Sequence, residues 1–288
     1  MVAVRPVVRG AGPEDADAIR ALIDAEGWNR GLRDVDTFTA ADPEAFLVAE
    51  ADGRVVGTVL ASRWSEGFGW IGLYLVDPAY RGRGIGIGLF GRALARLEPG
   101  TVGLDGDASQ QANYRRSGFR DVHGITRWRG LASAWRRPPA DPTLALADPR
   151  ELSFDALVAM DARTVGAPRP ALLRAWFDQP EARLAAATRA DDLVGFAVAR
   201  PARHGWKVAP VLAADPAAAQ LLIGSVVHAL PDDTTCWLDV PHPNLPADTL
   251  MRAHGLVGAP TSGRMVRGRA GPDPDVATLF AILAHEVG

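Results

Sequence analysis

A glycine-rich hexapeptide between an apolar segment and an amphipathic one constrains the fold of this chain most. The hexapeptide Arg81-Gly-Arg-Gly-Ile-Gly86 follows the apolar run 69–76 and precedes residues 87–97, whose apolar positions fall on one helical face. Small residues let a backbone approach a phosphate closely, and the unpaired amides at the start of a helix solvate its charge. The sequence therefore predicts a strand, a diphosphate-binding turn and a helix.

Two other nucleotide-binding loops can be compared with this turn. A Walker loop needs Gly-Lys followed by Ser or Thr, which the hexapeptide lacks. A Rossmann turn is followed by an acidic residue about 20 positions later, and Asp105 lies near that distance. A Rossmann strand begins its domain, however, whereas a helix predicted over 13–25 and a hairpin at 45–61, with its turn at Asp52-Gly53, come first here. The residues of the hexapeptide therefore argue against a Walker loop, and the order of elements argues against a Rossmann turn.

The chain of 288 residues is long enough for two domains. Four prolines fall between residues 131 and 150, and prolines remove helical hydrogen bonds and stiffen an extended chain. The sequence therefore predicts a first domain over 1–131, a proline-rich linker over 132–149 and a second domain over 150–288, each with its own core.

Landmarks of the first domain recur in the second at an offset of 137 or 138 residues. The matched landmarks are Gly57 and Gly195, Asp77-Pro78 and Asp215-Pro216, Gly118 and Gly255, and Arg129-Gly130 and Arg267-Gly268. The sequence therefore predicts a duplication. The same offset sets residues 219–224 opposite the glycine-rich turn and Met251 opposite Tyr114, so the second copy is expected to keep the fold and to lose the ligand site.

The order of helix, hairpin, strand, glycine-rich turn and helix resembles the GNAT superfamily of acyl-CoA-dependent acyltransferases. Its signature, Gln or Arg, two residues, Gly, one residue, Gly or Ala, is met by Arg81, Gly84 and Gly86, and its aromatic residue four positions before Gly-Phe is met by Tyr114. The whole chain resembles a bacterial two-domain type with a degenerate C-terminal half. The resemblance implies an α/β (α+β) fold of tandem GNAT-like domains, each with a mixed, mostly antiparallel central sheet flanked by helices.

The resemblance also assigns roles around the glycine-rich turn. Acetyl-CoA would be the co-substrate, held by Leu75, Val76, Arg81, Gly82, Arg83, Gly84, Ile85, Gly86 and Asn113. A main-chain amide of Val76 would donate to the thioester oxygen, and Tyr114 would be the acid for the departing thiolate. Packing of the helix is the alternative role for Tyr114, and helix capping is the alternative for Asn113.

The acceptor side is less constrained. The apolar run 69–75 lacks the glutamate that some superfamily members carry, so Glu26, Glu66 and Asp105 are candidate bases, and ordered water is a fourth route for the proton. Glu26 is the base that we favour. The remaining candidates for acceptor binding are Trp28, Asn29, Phe68, Trp70 and Asp105, with core packing the alternative for Phe68 and Trp70.

Composition narrows the functional class. With 48% hydrophobic residues, 23% charged residues and a net charge of −3, the chain resembles a globular protein with no preference for nucleic acid. No apolar run suits a signal peptide or a membrane span, which predicts a cytoplasmic protein. Histidines at scattered positions predict no metal site, and Cys236 is expected to be a buried strand residue.

These observations together predict an acyl-CoA-dependent N-acyltransferase without a metal. It would transfer acetyl from acetyl-CoA to an amine of a small molecule or peptide by direct attack in a ternary complex, with one coenzyme per chain. A non-catalytic sensor of acyl-CoA and a hydroxyl-directed acyltransferase are the alternatives. The acceptor is open, as is the choice between a monomer and a homodimer.

Overall fold

The first half of the chain alternates helices and strands in the predicted order. The computed structural model describes residues 6–136, 141–268 and 274–288. Its first elements are β1 (Val7–Gly10), α1 (Ala16–Ala25), α2 (Asp34–Ala41), β2 (Phe46–Ala51), β3 (Arg54–Ser65), β4 (Phe68–Val76), α3 (Ile85–Leu97), β5 (Thr101–Asp107), α4 (Gln111–Arg116) and β6 (Arg120–Leu131). The predicted hairpin is confirmed, and Asp52 and Gly53 turn it with φ angles of 53° and 69°.

The second half repeats this order. Its elements are β7 (Leu144–Ala147), α5 (Phe154–Val165), α6 (Pro170–Phe177), β8 (Arg183–Arg189), β9 (Asp192–Pro201), β10 (Trp206–Ala213), α7 (Pro216–Val227), β11 (Thr235–Pro241), α8 (Leu245–Ala253), β12 (Val257–Arg267) and β13 (Leu279–Ala281). Gly118 and Gly255 follow α4 and α8 with φ angles of 86° and 71°, so these landmarks of the predicted repeat occupy equivalent helix ends.

The strands form one sheet across both halves. In the described residues its order is β1-β2-β3-β4-β5-β12-β6-β11-β10-β9-β8-β7, with β13 paired to β10. All pairs are antiparallel except β4 with β5 and β10 with β11. The predicted fold class, a mixed and mostly antiparallel sheet flanked by helices, is confirmed, but the sheet is continuous rather than divided between two domains.

Strand β6 of the first half and its counterpart β12 of the second half each lie beside the sheet of the other half. Strand β12 pairs with β5 from Ser262 opposite Asp107 to Arg267 opposite Val102, and β6 pairs with β11 from Thr235 to Pro241. Strands β6 and β12 pair with each other at the centre. The two halves are therefore joined by exchanged strands, which the landmark repeat did not indicate.

The hydrophobic core also crosses the boundary. One cluster of buried side chains combines α1, α2 and β2 with α5, α6 and β9. Phe38 of α2 stacks on Trp176 of α6 with ring centroids 6.1 Å apart. Beside them Arg200 Nε donates to Asp34 Oδ1 at 2.9 Å, in an ion pair that is fully buried. Two further clusters lie mainly within one half each, as predicted, and the shared cluster ties the halves together.

The proline-rich linker is more structured than predicted. Residues 137–140 of the predicted linker lie outside the described residues. Within the rest, Leu144–Ala147 form β7, which pairs with β8, and Ala132–Ala134 form a short helical turn. The prolines bracket the run Leu144-Ala-Leu-Ala147 without interrupting it, so its backbone is free to complete the sheet edge.

Candidate active site

A cleft of about 950 Å³ opens where β4 and β5 separate. These parallel strands pair only from Phe68 opposite Thr101 to Ile71 opposite Leu104. Beyond Ile71 the edge of β4 is free on the β5 side and faces the cleft. The cleft is bounded by the glycine-rich turn at one end and by residues of the second half at the other.

The glycine-rich turn presents open backbone to the cleft. Gly82 and Gly84 have φ angles of 75° and 79°, and a Cβ at either residue would meet no atom within 4 Å. Within the described residues, the amides of residues 82–87 have no hydrogen-bond acceptor, and no side chain caps α3. The turn therefore offers the unpaired amides and the positive helix end that a diphosphate requires.

The two arginines of the turn are committed elsewhere. Arg81 Nε donates to Val76 O at 2.8 Å, and its guanidinium is ion-paired with Glu26. Arg83 Nη2 donates to Ala79 O at 3.0 Å, and the guanidinium lies over the Tyr80 ring. Both were expected to bind the diphosphate through their side chains. In this structure the backbone amides face the site and the guanidinium groups brace the loop.

Strand β4 is irregular where it borders the cleft. Leu73 has a φ of 46°, and the pairing with β3 shifts register between Thr58 and Leu60, so a bulge interrupts the strand. Leu73, Leu75 and Val76 all line the cleft. The bulge turns β4 along the cleft and leaves main-chain groups of Leu73–Val76 available to a ligand.

Tyr74 contributes a phenol that the sequence analysis overlooked. A Cβ at Gly86 would lie 2.5 Å from Tyr74 Oη, so the close approach of this tyrosine requires glycine at that position. Burial raises the pKa of Tyr74, and the phenol is protonated at neutral pH. In the sequence, only the alternation of apolar and aromatic residues in β4 pointed to Tyr74.

Tyr114 lies on the same wall as Tyr74. Its ring contacts Phe90 and Phe119, and its phenol has no hydrogen-bond partner in the described chain. Burial, followed by the nearby Tyr74 and Asp107, raises the pKa of Tyr114 to about 12. Tyr114 therefore carries its proton across the physiological pH range and can donate a hydrogen bond into the cleft.

Three of the predicted acceptor residues, Trp28, Asn29 and Asp105, line the cleft. Trp28 is partly exposed there, and Asn29 joins the loop after α1 to the turn before β10. Asn29 Nδ2 donates to His204 O at 3.1 Å, and His204 N donates to Asn29 Oδ1 at 2.8 Å. The second half therefore holds this edge of the cleft in place.

Phe68 and Trp70 do not line the cleft, so their prediction as acceptor residues is wrong. They lie on the part of β4 that still pairs with β5, before the strands separate. Trp70 is 1% exposed, lies under the Arg264 guanidinium, and donates from Nε1 to His285 O at 3.0 Å. Both are packing residues.

Asn113 also lies outside the cleft lining. Its Nδ2 donates to Gln110 Oε1 at 2.7 Å, and its Oδ1 accepts from Arg116. In this structure the amide stabilises α4, and its contact with the coenzyme stays a prediction. Ser109 and Gln110 face the cleft in its place.

The candidate bases are each constrained differently. Glu66 is exposed and away from the cleft. Glu26 lines the cleft, but its carboxylate is paired with Arg81. Asp105 is fully buried and accepts from Arg264 Nε and Nη2 at 2.9 and 3.0 Å, and its pKa is lowered to about 2. Burial opposes that lowering, and Arg264 and His285 outweigh it. An ionised and paired Asp105 is a poor base at neutral pH.

Asp105 belongs to a symmetric set of ion pairs between the halves. Arg127 of β6 donates from Nε and Nη2 to Asp239 of β11 at 2.7 and 2.9 Å, which mirrors the pair between Arg264 and Asp105. His285 bridges the two pairs, with Nδ1 3.4 Å from Asp105 Oδ2 and Nε2 3.3 Å from Asp239 Oδ2. The exchanged strands are thus held together by charge as well as by backbone pairing.

The two aspartates determine the charge of His285. Burial disfavours its protonated form, but Asp239 and Asp105 more than compensate and raise its pKa to about 9. The pKa of Asp239 is well below its ordinary value for the same reason. His285 is therefore a cation at neutral pH at the inner end of the cleft.

Lys207 and Glu286 complete the inner end and were missed by the sequence analysis. Lys207 is on β10, and Glu286 follows β13 near the end of the chain. Composition did point to Lys207, because the chain has 30 arginines and one lysine, and that lysine lines the cleft. Nothing in the sequence pattern pointed to Glu286.

The corresponding position in the second half is closed. Asp215 accepts a hydrogen bond from Ala218 N at 2.9 Å, and its other oxygen accepts from Arg189 at 2.8 Å, so a side chain caps α7. Residues 219–224 lie within the helix rather than in a turn. Met251 is buried opposite Tyr114 in the repeat, and Cys236 is buried in β11 with its pKa raised to about 12.

No group of histidine, cysteine, aspartate and glutamate side chains in the described ranges is arranged to hold a metal ion. Nor is any helix in those ranges long and apolar enough to cross a membrane.

Comparison with known proteins agrees with this fold. The acetyltransferase (GNAT) family model matches residues 16–119, and a second acetyltransferase (GNAT) domain model matches residues 157–281. The holothin acyltransferase of Pseudoalteromonas sp. (strain SANK 73390) is 26% identical over 92% of this chain and 88% of its own length. A Yersinia pestis acetyltransferase is 39% identical over 24% of this chain and 49% of its own length.

Solved structures share the fold along nearly the whole chain. A putative acetyltransferase from Pyrococcus horikoshii has a TM-score of 0.81 at 21% identity and covers 98% of this chain and 96% of that one. A tandem GNAT protein from the clavulanic acid biosynthesis pathway has a TM-score of 0.64 at 16% identity, covering 93% and 99%.

The fold and the cleft define an acyltransferase with two GNAT domains in one chain. The protein belongs to the GNAT superfamily, and the helix after the glycine-rich turn has no side-chain cap in the first domain, whereas its counterpart in the second is capped by Asp215.

Proposed function

We propose that this protein transfers an acetyl group from acetyl-CoA to an amine of a small molecule or peptide, by direct attack of the amine in a ternary complex. The observation that carries the proposal is the pairing of two unsatisfied features on one cleft. Free amides face it from residues 82–87, and the unbonded phenol of Tyr114 faces it from α4.

The residues of the turn fit the diphosphate of the coenzyme. The amides at the start of α3 would donate to its oxygens, and the free edge of β4 at Leu73–Val76 would pair with an extended arm that carries amide groups. The coenzyme supplies the thioester. The bulged edge of β4, including the amide of Val76, is our candidate donor to the thioester oxygen.

Tyr114 is the donor that we propose for the departing sulfur. Attack by a neutral amine forms the carbon–nitrogen bond, and the electron pair of the carbon–sulfur bond leaves with the sulfur. The ammonium acceptor loses two protons in the overall reaction, of which the thiol keeps one and solvent receives the other. A phenol with a pKa of about 12 stays protonated until the sulfur develops charge.

We revise the assignment of the general base. Glu26 would have to separate from Arg81 before it could take a proton, so we propose that it mainly holds Arg81 and the turn. Asp105, paired with Arg264 and His285, would position the inner wall. The amine would then lose its proton through water in the cleft, which the sequence analysis had left as an alternative.

The relatives support the reaction class more firmly than the acyl group. The relative similar over most of the chain is named for acyl transfer to holothin, and that name does not specify acetyl. We therefore keep acetyl-CoA as the first donor to test and include longer acyl-CoA thioesters beside it.

A donor-by-amine panel tests the proposal through release of free thiol. We expect turnover with acetyl-CoA and at least one amine class, and an N-acyl product by mass spectrometry. Coenzyme binding without turnover against any amine would instead indicate a sensor of acyl-CoA. An ester product with a hydroxyl acceptor would contradict the choice of an amine.

A further inference from the structure

The inner end of the cleft is built largely by the second half of the chain. The segment after β13 passes beside β4, where a Cβ at Gly72 would lie 2.3 Å from Glu286 O. Gly72 directly precedes Leu73, the residue at the bulge of β4. Glu286 is therefore beside the part of β4 where the strands separate, and Lys207 reaches the same end of the cleft from β10.

Lys207 and Glu286 are buried charged groups without partners. Their exposed fractions are 3% and 8%. Neither side chain makes a hydrogen bond in the described residues, and Glu286 Oε2 is buried without one. No ion pair within 4.0 Å joins them to each other or to another described residue. Leaving such groups unpaired is costly, so a ligand that pairs with both would bind favourably.

The neighbouring charged side chains are already paired with each other, unlike Lys207 and Glu286. Asp105 and Asp239 each bind an arginine in a bidentate contact, and His285 lies between them. Around the inner end, four cationic groups face three carboxylates when Lys207 is protonated. The excess cation therefore favours a ligand that carries an anionic group.

Position 207 carries a lysine rather than an arginine. Arginine supplies each of the other 30 positions with a long cationic side chain, including the buried ion pairs with Asp161, Asp34 and Asp105. Lysine presents a compact charge with three donors and no planar fork, which suits a single anionic group in a narrow space. Lys207 therefore lies where the wall of the cleft faces the cavity rather than a protein carboxylate.

We propose that Glu286 and Lys207 form the acceptor subsite, and that they select an amine which also carries an acidic group, such as an amino acid. The proposal rests on the proposed function of the same cleft. Glu286 would bind the ammonium group beside the bulge of β4, and Lys207 would bind the carboxylate or another anion.

The electrostatics of the subsite agree with this assignment. Burial, followed by the nearby Arg127, lowers the pKa of Lys207, while Glu286 and Asp239 oppose the change. An anion bound at Nζ would restore the preference for the charged form. The site is therefore more stable with a bound acid than without it.

Matched acceptors test the subsite. We would measure kcat/KM for amino acids and for their amides, which differ in the anionic group, with wild-type protein and with K207M, K207R and E286Q. The wild type should prefer the acid. K207M should lower that preference by about tenfold or more, K207R should keep much of it, and E286Q should raise KM for both acceptors.

Controls separate loss of recognition from loss of structure. E286Q preserves the shape of the side chain, and E66Q removes a carboxylate that is exposed and outside the cleft. Coenzyme affinity by calorimetry and thermal unfolding should match the wild type in all variants. If K207M unfolds early, K207Q takes its place, because it also removes the charge.

Several outcomes would overturn the proposal. One is an unchanged preference in K207M, and another is an unchanged KM in E286Q. Equal loss of acid and amide turnover in both K207M and K207R would indicate a role of Lys207 in proton transfer instead.

Failure of the proposed function has a different signature, namely no thiol release with any amine. In that case calorimetric titration of amino acids into the coenzyme-bound protein decides the subsite. Binding that K207M weakens would uphold it, and the absence of binding would refute it.

Discussion

Helices α3 and α7 follow equivalent strands in the two halves, yet their N-termini differ in one respect that decides ligand binding. In α3 the amides of the preceding turn and first helical residues are free in the described structure, and Gly84 occupies the N-cap. In α7 the N-cap is Asp215, whose carboxylate already accepts from Ala218 N. The second half therefore supplies its own anion where the first half leaves space for one.

The gap beside the central strand differs in the same way. Strands β10 and β11 pair only at Trp206 and Lys207, as β4 and β5 pair only at their beginnings. In the second half β13 fills the gap by pairing with Val211 and Leu212 of β10. The corresponding edge of β4 borders the cleft. The same fold can thus form an open cleft or a closed structural unit. The difference lies in the residue at the helix N-cap and in whether a strand fills the gap beside β4 or β10.

The closed half still contributes to the cleft. Its strand β12 carries Arg264 to Asp105, and its C-terminal segment brings His285 and Glu286 beside β4. Loss of the diphosphate turn therefore did not separate the second half from the chemistry. In our proposal the first half supplies the coenzyme side of the cleft and the second half supplies part of the acceptor side.

Tyr114 differs in chemistry from Met251, its counterpart in the second half, and substitution of Tyr114 tests whether that difference matters. Y114F should lower kcat about 100-fold or more while coenzyme affinity stays unchanged, because the variant loses the hydroxyl donor and keeps the ring contacts. M251L, at the equivalent position of the second half, should leave kinetics unchanged. Full activity in Y114F would reduce Tyr114 to a packing residue against Phe90 and Phe119.

The helix caps can be exchanged between the halves. G84D would place a carboxylate at the N-cap of α3, as in α7, and should weaken coenzyme binding about 100-fold because a like charge would occupy the diphosphate site. Calorimetry would measure the change. The matched variant D215N should leave coenzyme affinity and stoichiometry unaltered, and equal affinity for G84D and the wild type would contradict the assigned site.

The bridge of His285 between the halves predicts a pH-dependent stability. Its folded pKa of about 9 exceeds the ordinary value of 6.5, so its stabilisation is complete below pH 6.5 and is lost as the pH rises through about 9. The loss is at most about 3 kcal/mol. Urea unfolding at pH 6 and pH 9.5 should show this decline in the wild type and less of it in H285Q.

His123 provides the control for that measurement. Burial, followed by Arg264, lowers its pKa, so H123Q should not remove a decline above pH 6.5. A wild-type stability that is equal at the two pH values would show that the two aspartates do not hold His285 as a cation.

The smallest effect is expected at Glu26. E26Q should lower kcat/KM only about fivefold, because the variant loosens Arg81 without removing a base. The decrease should be similar at pH 7 and pH 9. A larger defect that disappears at high pH, where the amine loses its own proton, would restore Glu26 as the base.

The sequence predicted the parts of this structure that depend on local chemistry. The turn at Gly82 and Gly84 and the helix that follows need small residues and an amphipathic pattern, both of which are visible in one short segment. The hairpin at Asp52-Gly53 and the repeat of Gly118 in Gly255 are likewise local. These features required no knowledge of distant partners.

The features that the sequence did not reveal depend on pairing between distant segments. Exchange of β6 and β12 leaves the strand pattern of each half unchanged, since a strand alternates in the same way beside either neighbour. Phe68 and Trp70 were misassigned because the point at which β4 leaves β5 cannot be read from β4 alone. Glu286 is distant in sequence from the cleft that it lines, although the single lysine of the composition did mark Lys207.

The central claim is that one half of the chain binds the coenzyme and the other fills its own site. Calorimetric titration of coenzyme A into the full-length protein tests it most directly. The account predicts one site per chain, which G84D weakens about 100-fold and D215N leaves unaffected. Two equivalent sites per chain, or one site that survives G84D and is lost in D215N, would contradict it.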